Sequence, residues 1–176
     1  MSLKLPFWNA DKIVSFSAIL ISLATMSIYL YQTHLIQKQQ YASIMPYLRM
    51  GYSYDEDRFE FILFNEGLGP AYIEEVNTYY NGKKYANYDA SDFFQNQYSK
   101  IDSTLYLSYA SVSSGTLFAA GKEIHLITKR QSIKDSKKLQ DLFFNKKIEM
   151  EIIYASIYGE KWVARGAFTR PKKLDD

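Results

Sequence analysis

Nineteen consecutive residues without a charge, a glycine or a proline, Ile13–Tyr31 (IVSFSAILISLATMSIYLY), constrain this chain more than any other feature. At the α-helical rise they span roughly 28 Å, close to the hydrocarbon thickness of a bilayer. Lys12 precedes the run and Gln32-Thr33-His34 follow it. A buried core helix rarely stays uncharged for so long. A cleaved signal peptide needs a short apolar region followed by small residues. Ser22-Leu23-Ala24 has that composition, but the apolar run continues through Met26, Ile28 and Leu30. The reading is therefore an uncleaved, single membrane-spanning helix over 13–31, preceded by a tail over 1–12.

Lys4, Lys12 and the amino terminus lie before the span, and only Lys38 and Arg49 follow closely. That bias places the N-terminus inside and the rest of the chain outside the cytoplasm of a cell membrane. Phe7, Trp8, Tyr29 and Tyr31 sit at the two ends, where amphipathic rings favour the interface. Within the span, Ser15, Ala18, Ser22 and Thr25 recur every three or four residues. Small residues on one stripe let helix backbones approach in lipid, a candidate face for homo-oligomers. The competing explanation is that the hydroxyls bond carbonyls of their own helix. Residues 32–45 contain no Gly or Pro and continue as a juxtamembrane helix that stops before Pro46.

About 130 residues remain, enough for one domain with its own core. Runs such as Arg58–Phe64 and Ile148–Tyr154 alternate apolar and polar residues, the period of a half-buried strand. Asn81-Gly82 between Ala71–Tyr80 and Lys83–Tyr88 is a strong hairpin signal. In Asn65-Glu66-Gly67-Leu68-Gly69-Pro70-Ala71, the asparagine favours an Asx turn, the glycines allow unusual backbone angles and Pro70 stiffens the exit. Asp89–Ser99 and the stretch opened by Ser132-Ile133-Lys134-Asp135 have helix caps followed by apolar faces. Seven or eight short strands with two short helical insertions predict a mainly β fold. The specific expectation is an immunoglobulin-like antiparallel β-sandwich over 46–170, with a polar tail over 171–176.

Three passages together carry a resemblance: the span running into Ala42–Leu48 (ASIMPYL), the Asn65–Ala71 turn with the later Asn81-Gly82-Lys83, and Ile152–Trp162 (IIYASIYGEKW). The combination resembles small uncharacterised bacterial proteins with one N-terminal span and an extracytoplasmic-looking β domain. The N-x-G-x-G-P-A turn with Asn-Gly-Lys is also similar to immunoglobulin-like sandwich modules of adhesion type. The resemblance implies a fold and a membrane anchor; its motifs are turn chemistry and carry no reaction.

The residues themselves argue against several enzyme classes. The chain has no cysteine, which removes thiol catalysis, disulfides and Cys-ligated zinc. His34 and His125 are the only histidines, without acids clustered nearby in sequence, and there is no Gly-x-Ser-x-Gly elbow or phosphate-binding glycine loop. Asp55-Glu56-Asp57 and Asp89-x-x-Asp92 read as a solvated turn and a helix cap rather than calcium ligands. Residues 41–120 carry 5 Lys/Arg against 10 Asp/Glu, and 121–176 carry 13 against 8. The basic pairs Lys129-Arg130, Lys137-Lys138, Lys146-Lys147 and Lys172-Lys173 match no nucleic-acid module and read as a solvated face. Four of the 16 tyrosines, Tyr79, Tyr80, Tyr85 and Tyr88, concentrate at one hairpin. Exposed together they would form an aromatic surface for a sugar or peptide; packed, they express the strand propensity of tyrosine.

The sequence thus predicts a non-catalytic membrane protein without a cofactor. It presents a β domain for binding, scaffolding or sensing, with an unknown protein or glycan as ligand and no nucleic acid. The alternative is a cytosol-facing regulatory or effector subunit that senses a ligand through the same domain.

Overall fold

The protein is described from a computed structural model covering residues 10–174. The expectations placed on Lys4, Phe7 and Trp8 lie outside those residues. The chain divides into two compact units, one ending at Ala42 and the other beginning at Ser43.

The described part of the first unit is helical: α1, Ala10–Ser43, is one unbroken helix of 34 residues with no buried residue, and its last residue is the first of the second unit. At 1.5 Å per residue it is roughly 51 Å long. It is the one helix among the described residues long and apolar enough to cross a membrane. Its polar half, expected to run to Met45, stops at Ser43, three residues before the buried Pro46.

Among the described residues the second unit holds ten strands, all paired antiparallel: β1 Leu48–Tyr54, β2 Phe59–Asn65, β3 Ala71–Tyr80, β4 Lys83–Ala86, β5 Ser108–Tyr109, β6 Leu117–Phe118, β7 Glu123–Lys129, β8 Ile148–Ala155, β9 Lys161–Arg165 and β10 Lys172–Lys173. They form two sheets, ordered β1-β2-β7-β5 and β10-β9-β8-β3-β4, with β6 also on β3. The 171–176 segment, read as a tail, contributes β10: Lys172 and Lys173 pair with Val163 and Trp162.

Alternation builds the core. Ile148, Met150, Ile152 and Tyr154 of β8 point inward, and Glu149 and Glu151 point outward. They meet Leu48 and Met50 of β1, Phe59, Phe61 and Leu63 of β2, and Leu126 and Ile127 around β7 in one buried cluster. Both faces of β2 are largely buried; Glu60, between the inward Phe59 and Phe61, is engaged by His125 and Arg130. Tyr154 is fully buried, and its hydroxyl accepts the Leu48 N–H at 3.3 Å, joining the two sheets.

Two helices close the core. α2, Ala90–Asn96, opens with a capping box in which the Asp89 carboxylate accepts the Asp92 N–H. α3, Ile133–Phe144, opens on Ser132, whose hydroxyl accepts the Asp135 N–H, and buries Leu139, Leu142 and Phe143. Buried Asp89 also accepts from the Ser91 and Ser111 hydroxyls and the Val112 N–H. Four donors on one carboxylate tie the α2 start to the loop before β6.

Candidate functional site

The Asn65–Pro70 turn closes on the chain where it arrives from α1. Asn65 is 1% exposed. Its Oδ1 accepts the N–H groups of Tyr47 at 3.2 Å and Gly67 at 3.1 Å. Its Nδ2 donates to the carbonyls of Gly69, Phe118 and Ala119 at 2.9, 3.1 and 3.2 Å. The N–H of Leu68 bonds the Met45 carbonyl, and that of Glu66 the Tyr47 carbonyl. The glycines are there for space rather than for backbone angle. A Cβ on Gly69 would overlap the Ile44 carbonyl, and one on Gly67 the backbone of Met45 and Tyr47. This turn is a clamp: from Ile44 onward the chain is held by the domain.

Asn81 and Gly82 have φ of 47° and 80° in a two-residue loop between Tyr80 and Lys83, the type I′ geometry that matches strand twist. On α1, Ser15 and Thr25 donate to the Asp11 and Ile21 carbonyls, so these two stripe hydroxyls are engaged by their own helix. Ala18 and Ser22 lie on the same stripe, with the face exposed.

The four hairpin tyrosines do not assemble an exposed platform. Tyr80, Tyr85 and Tyr88 are half-buried against the core. Tyr80 and Tyr85 lie 5.5 and 5.2 Å from the Phe93 ring. Tyr79, one residue out of phase, faces the other way. Strand alternation separates them, a constraint that clustering in sequence hides.

On the outward face around Tyr79 lies a polar network not legible from any motif. Glu151 is its centre, with its side chain 12% exposed. Its Oε1 accepts from the Tyr79 hydroxyl at 3.1 Å and Asn77 Nδ2 at 3.3 Å, with Lys84 Nζ at 3.7 Å. Its Oε2 lies 3.7 Å from Arg165, which also pairs with Glu149 at 3.3 Å. The Arg165 guanidinium stacks 4.0 Å above the Tyr79 ring. The signal in the sequence was the outward alternation of Glu149 and Glu151. The register that sets Glu151 opposite both Asn77 and Arg165 is a tertiary fact. Beside the network, a cleft of about 320 Å³ opens between this face and the turn leading into β10.

The other charged groups are mostly engaged locally. Lys129 pairs with Asp135 at 2.8 Å, Arg130 with Glu60 at 2.9 Å, Lys138 with Asp102 and Lys147 with Asp141 at 2.6 Å. The Lys129 ammonium, and after it the Ser132 hydroxyl, holds the Asp135 carboxyl below its ordinary range against the opposing effect of burial. Burial pushes the Tyr154 hydroxyl up to about 12, with the Leu48 N–H working the other way. His125 lies between Glu60 and Glu123, at 3.4 and 3.6 Å. Among the described residues no group of three or more His, Cys, Asp or Glu side chains converges to hold a metal ion.

No protein-family model, curated protein or solved structure matches this chain.

Proposed function

We propose that the protein is a membrane-anchored, non-catalytic binding module whose β domain engages a partner through the outward face of β3, β8 and β9. The observation that carries this reading is the clamp. A helix able to span a bilayer ends at Ser43, and Ile44–Tyr47 is immediately held by Asn65, Gly67 and Gly69. Such a junction suits a domain meant to be held at a surface rather than trailed on a free linker.

The fold assigned to the domain is an immunoglobulin-like sandwich, and strand order supports it. Lettered along the chain, β1, β2, β3, β4, β5, β7, β8 and β9 become A, B, C, C′, D, E, F and G. The sheets then run A-B-E-D and G-F-C-C′, the division characteristic of that fold. The disulfide of antibody domains has no counterpart, since cysteine is absent; the Tyr154–Leu48 hydrogen bond joins the sheets instead.

The charge bias around the span supports a domain outside the cytoplasm. A C-terminal fusion tests this: alkaline phosphatase is expected to be active and green fluorescent protein dark. The opposite pattern overturns the orientation in favour of a cytosolic regulatory subunit. For the binding face, a photo-crosslinking residue at Val163 is expected to give adducts that the same residue at Lys137, on α3, does not. Equal yields at both positions, or none, count against this face.

A further inference from the structure

We propose that the cleft beside Arg165 binds an anionic saccharide, a sugar carrying a carboxylate of the uronic-acid kind. The proposal rests on the binding function above and names a ligand class for it.

The cleft lies on the outward side of β8 and β9, with Glu149, Glu151, Val163 and Arg165 as floor and Arg170 and Lys172 in its wall. Three cations therefore face two carboxylates, leaving one net positive charge. Their states of engagement differ. Arg165 is fixed by Glu149, Glu151 and the Tyr79 ring, and Glu151 already gathers Tyr79, Asn77 and Lys84. The side chains of Arg170 and Lys172 have no ion-pair or hydrogen-bond partner among the described residues. An incoming anion meets two uncommitted donors without having to break an existing pair.

The wall is held in place. The Phe168 N–H bonds the Met50 carbonyl at 2.7 Å, and the Thr169 hydroxyl bonds the Gly166 carbonyl at 3.2 Å. Pro171, between the two cations, fixes its own φ. Beyond that residue Lys172 is anchored opposite Val163. Arg170 and Lys172 are thus presented from an ordered turn, which lowers the ordering cost of binding.

The volume, about 320 Å³, falls at the lower end of small-ligand sites. The floor then selects among anions. Glu149 pairs with Arg165 through Oε2 and leaves Oε1 as an acceptor beside the free cations, and Val163 supplies an apolar contact. A simple inorganic anion leaves that acceptor unused. A ligand bearing a carboxylate and several hydroxyls satisfies both parts, with acid to Arg170 and Lys172 and a hydroxyl to Glu149.

The test uses the full chain in nanodiscs of zwitterionic lipid and ligand-observed NMR with three probes: glucuronate, glucose and inorganic phosphate. Glucuronate is expected to saturate with a Kd of about 1 mM or tighter, with glucose and phosphate at least about tenfold weaker. Arg170→Gln with Lys172→Gln is expected to weaken glucuronate about tenfold, whereas Lys134→Gln with Lys137→Gln, removing equal charge from α3, leaves it unchanged. Phosphate binding as well as glucuronate, equal loss in both double variants, or no saturation by glucuronate each overturns the proposal. Crosslinking at Val163 is read separately, so adducts that persist without glucuronate binding remove the saccharide and leave the binding function standing.

Discussion

Single residues do unusually long-range work at the end of the domain where the chain arrives. Asn65 uses both ends of its amide on five backbone groups from three segments. Asn65→Ala strands those groups in a site 1% exposed, so it is expected to cost about 3 kcal/mol and lower Tm by roughly 10 °C. Asn65→Asp keeps the acceptor and turns the donor into a charge facing three carbonyls, and is expected to be worse. A thermal melt that leaves Asn65→Ala within a degree or two of the parent would remove the clamp from the account. Tyr154 gives a second test with a pH signature. Its hydroxyl is pushed up to about 12 in the folded protein, above the ordinary tyrosine value near 10. The folded state therefore favours the neutral phenol. That contribution is whole below pH 10 and is lost as pH rises from about 10 toward 12. Tyr154→Phe is expected to destabilise by about 1–2 kcal/mol at neutral pH, since the buried Leu48 N–H loses its acceptor. It is also expected to flatten the alkaline part of the stability profile, read by urea titration at stepped pH.

Among elements, α3 is docked by charge as well as by its apolar face. Lys129, at the end of β7, reaches Asp135 in the first turn of α3, with both side chains mostly covered. Because the Asp135 carboxyl is held below its ordinary range, its contribution is present above about pH 4 and is lost as pH falls further, through the folded value. Lys129→Met is expected to cost about 1 kcal/mol at pH 7 and to weaken the dependence below pH 4. On α1, the Ser15 and Thr25 hydroxyls already serve their own helix, so any association along the stripe depends mainly on close backbone approach. Ala18→Leu with Ser22→Leu is therefore expected to abolish most self-association in a membrane two-hybrid assay, and Ser15→Ala to change little. Unchanged association in the first variant would leave the stripe without a partner. The elements themselves were largely legible beforehand. The uncharged run, the Asn81-Gly82 turn and the alternation in β2 and β8 all act within a few residues of chain. The Glu151 network was not, because it depends on which strands become neighbours. Between the two readings of the hairpin tyrosines, the strands favour packing for Tyr80, Tyr85 and Tyr88, because successive strand residues fall on opposite faces.

For the whole molecule, the consequence of the clamp is that the domain's true beginning lies before its first strand. Strand alternation and Pro46 set the sequence-based start at residue 46. Yet the Met45 carbonyl accepts from Leu68 and Gly69, and the Ile44 carbonyl fills the space left by the missing Cβ of Gly69. Pro46 is itself buried. None of this was visible in composition: Gly67 and Gly69 read as turn residues, and their role as a cradle for the arriving chain appears only when Ile44–Tyr47 is laid across them. A protein beginning at Ser43 keeps every one of these contacts and is expected to unfold in urea as one cooperative domain with native stability. One beginning at Tyr47 exposes Gly67, Gly69 and the Leu68 N–H and removes the buried proline. It is expected to lose about 2–3 kcal/mol at unchanged m-value. If the two truncations melt alike, Ile44–Pro46 is merely a linker and the helix is attached to the domain by a loose end. If the shorter one alone is destabilised, Ile44–Pro46 belongs to the domain, and the turn between β2 and β3 is built around it.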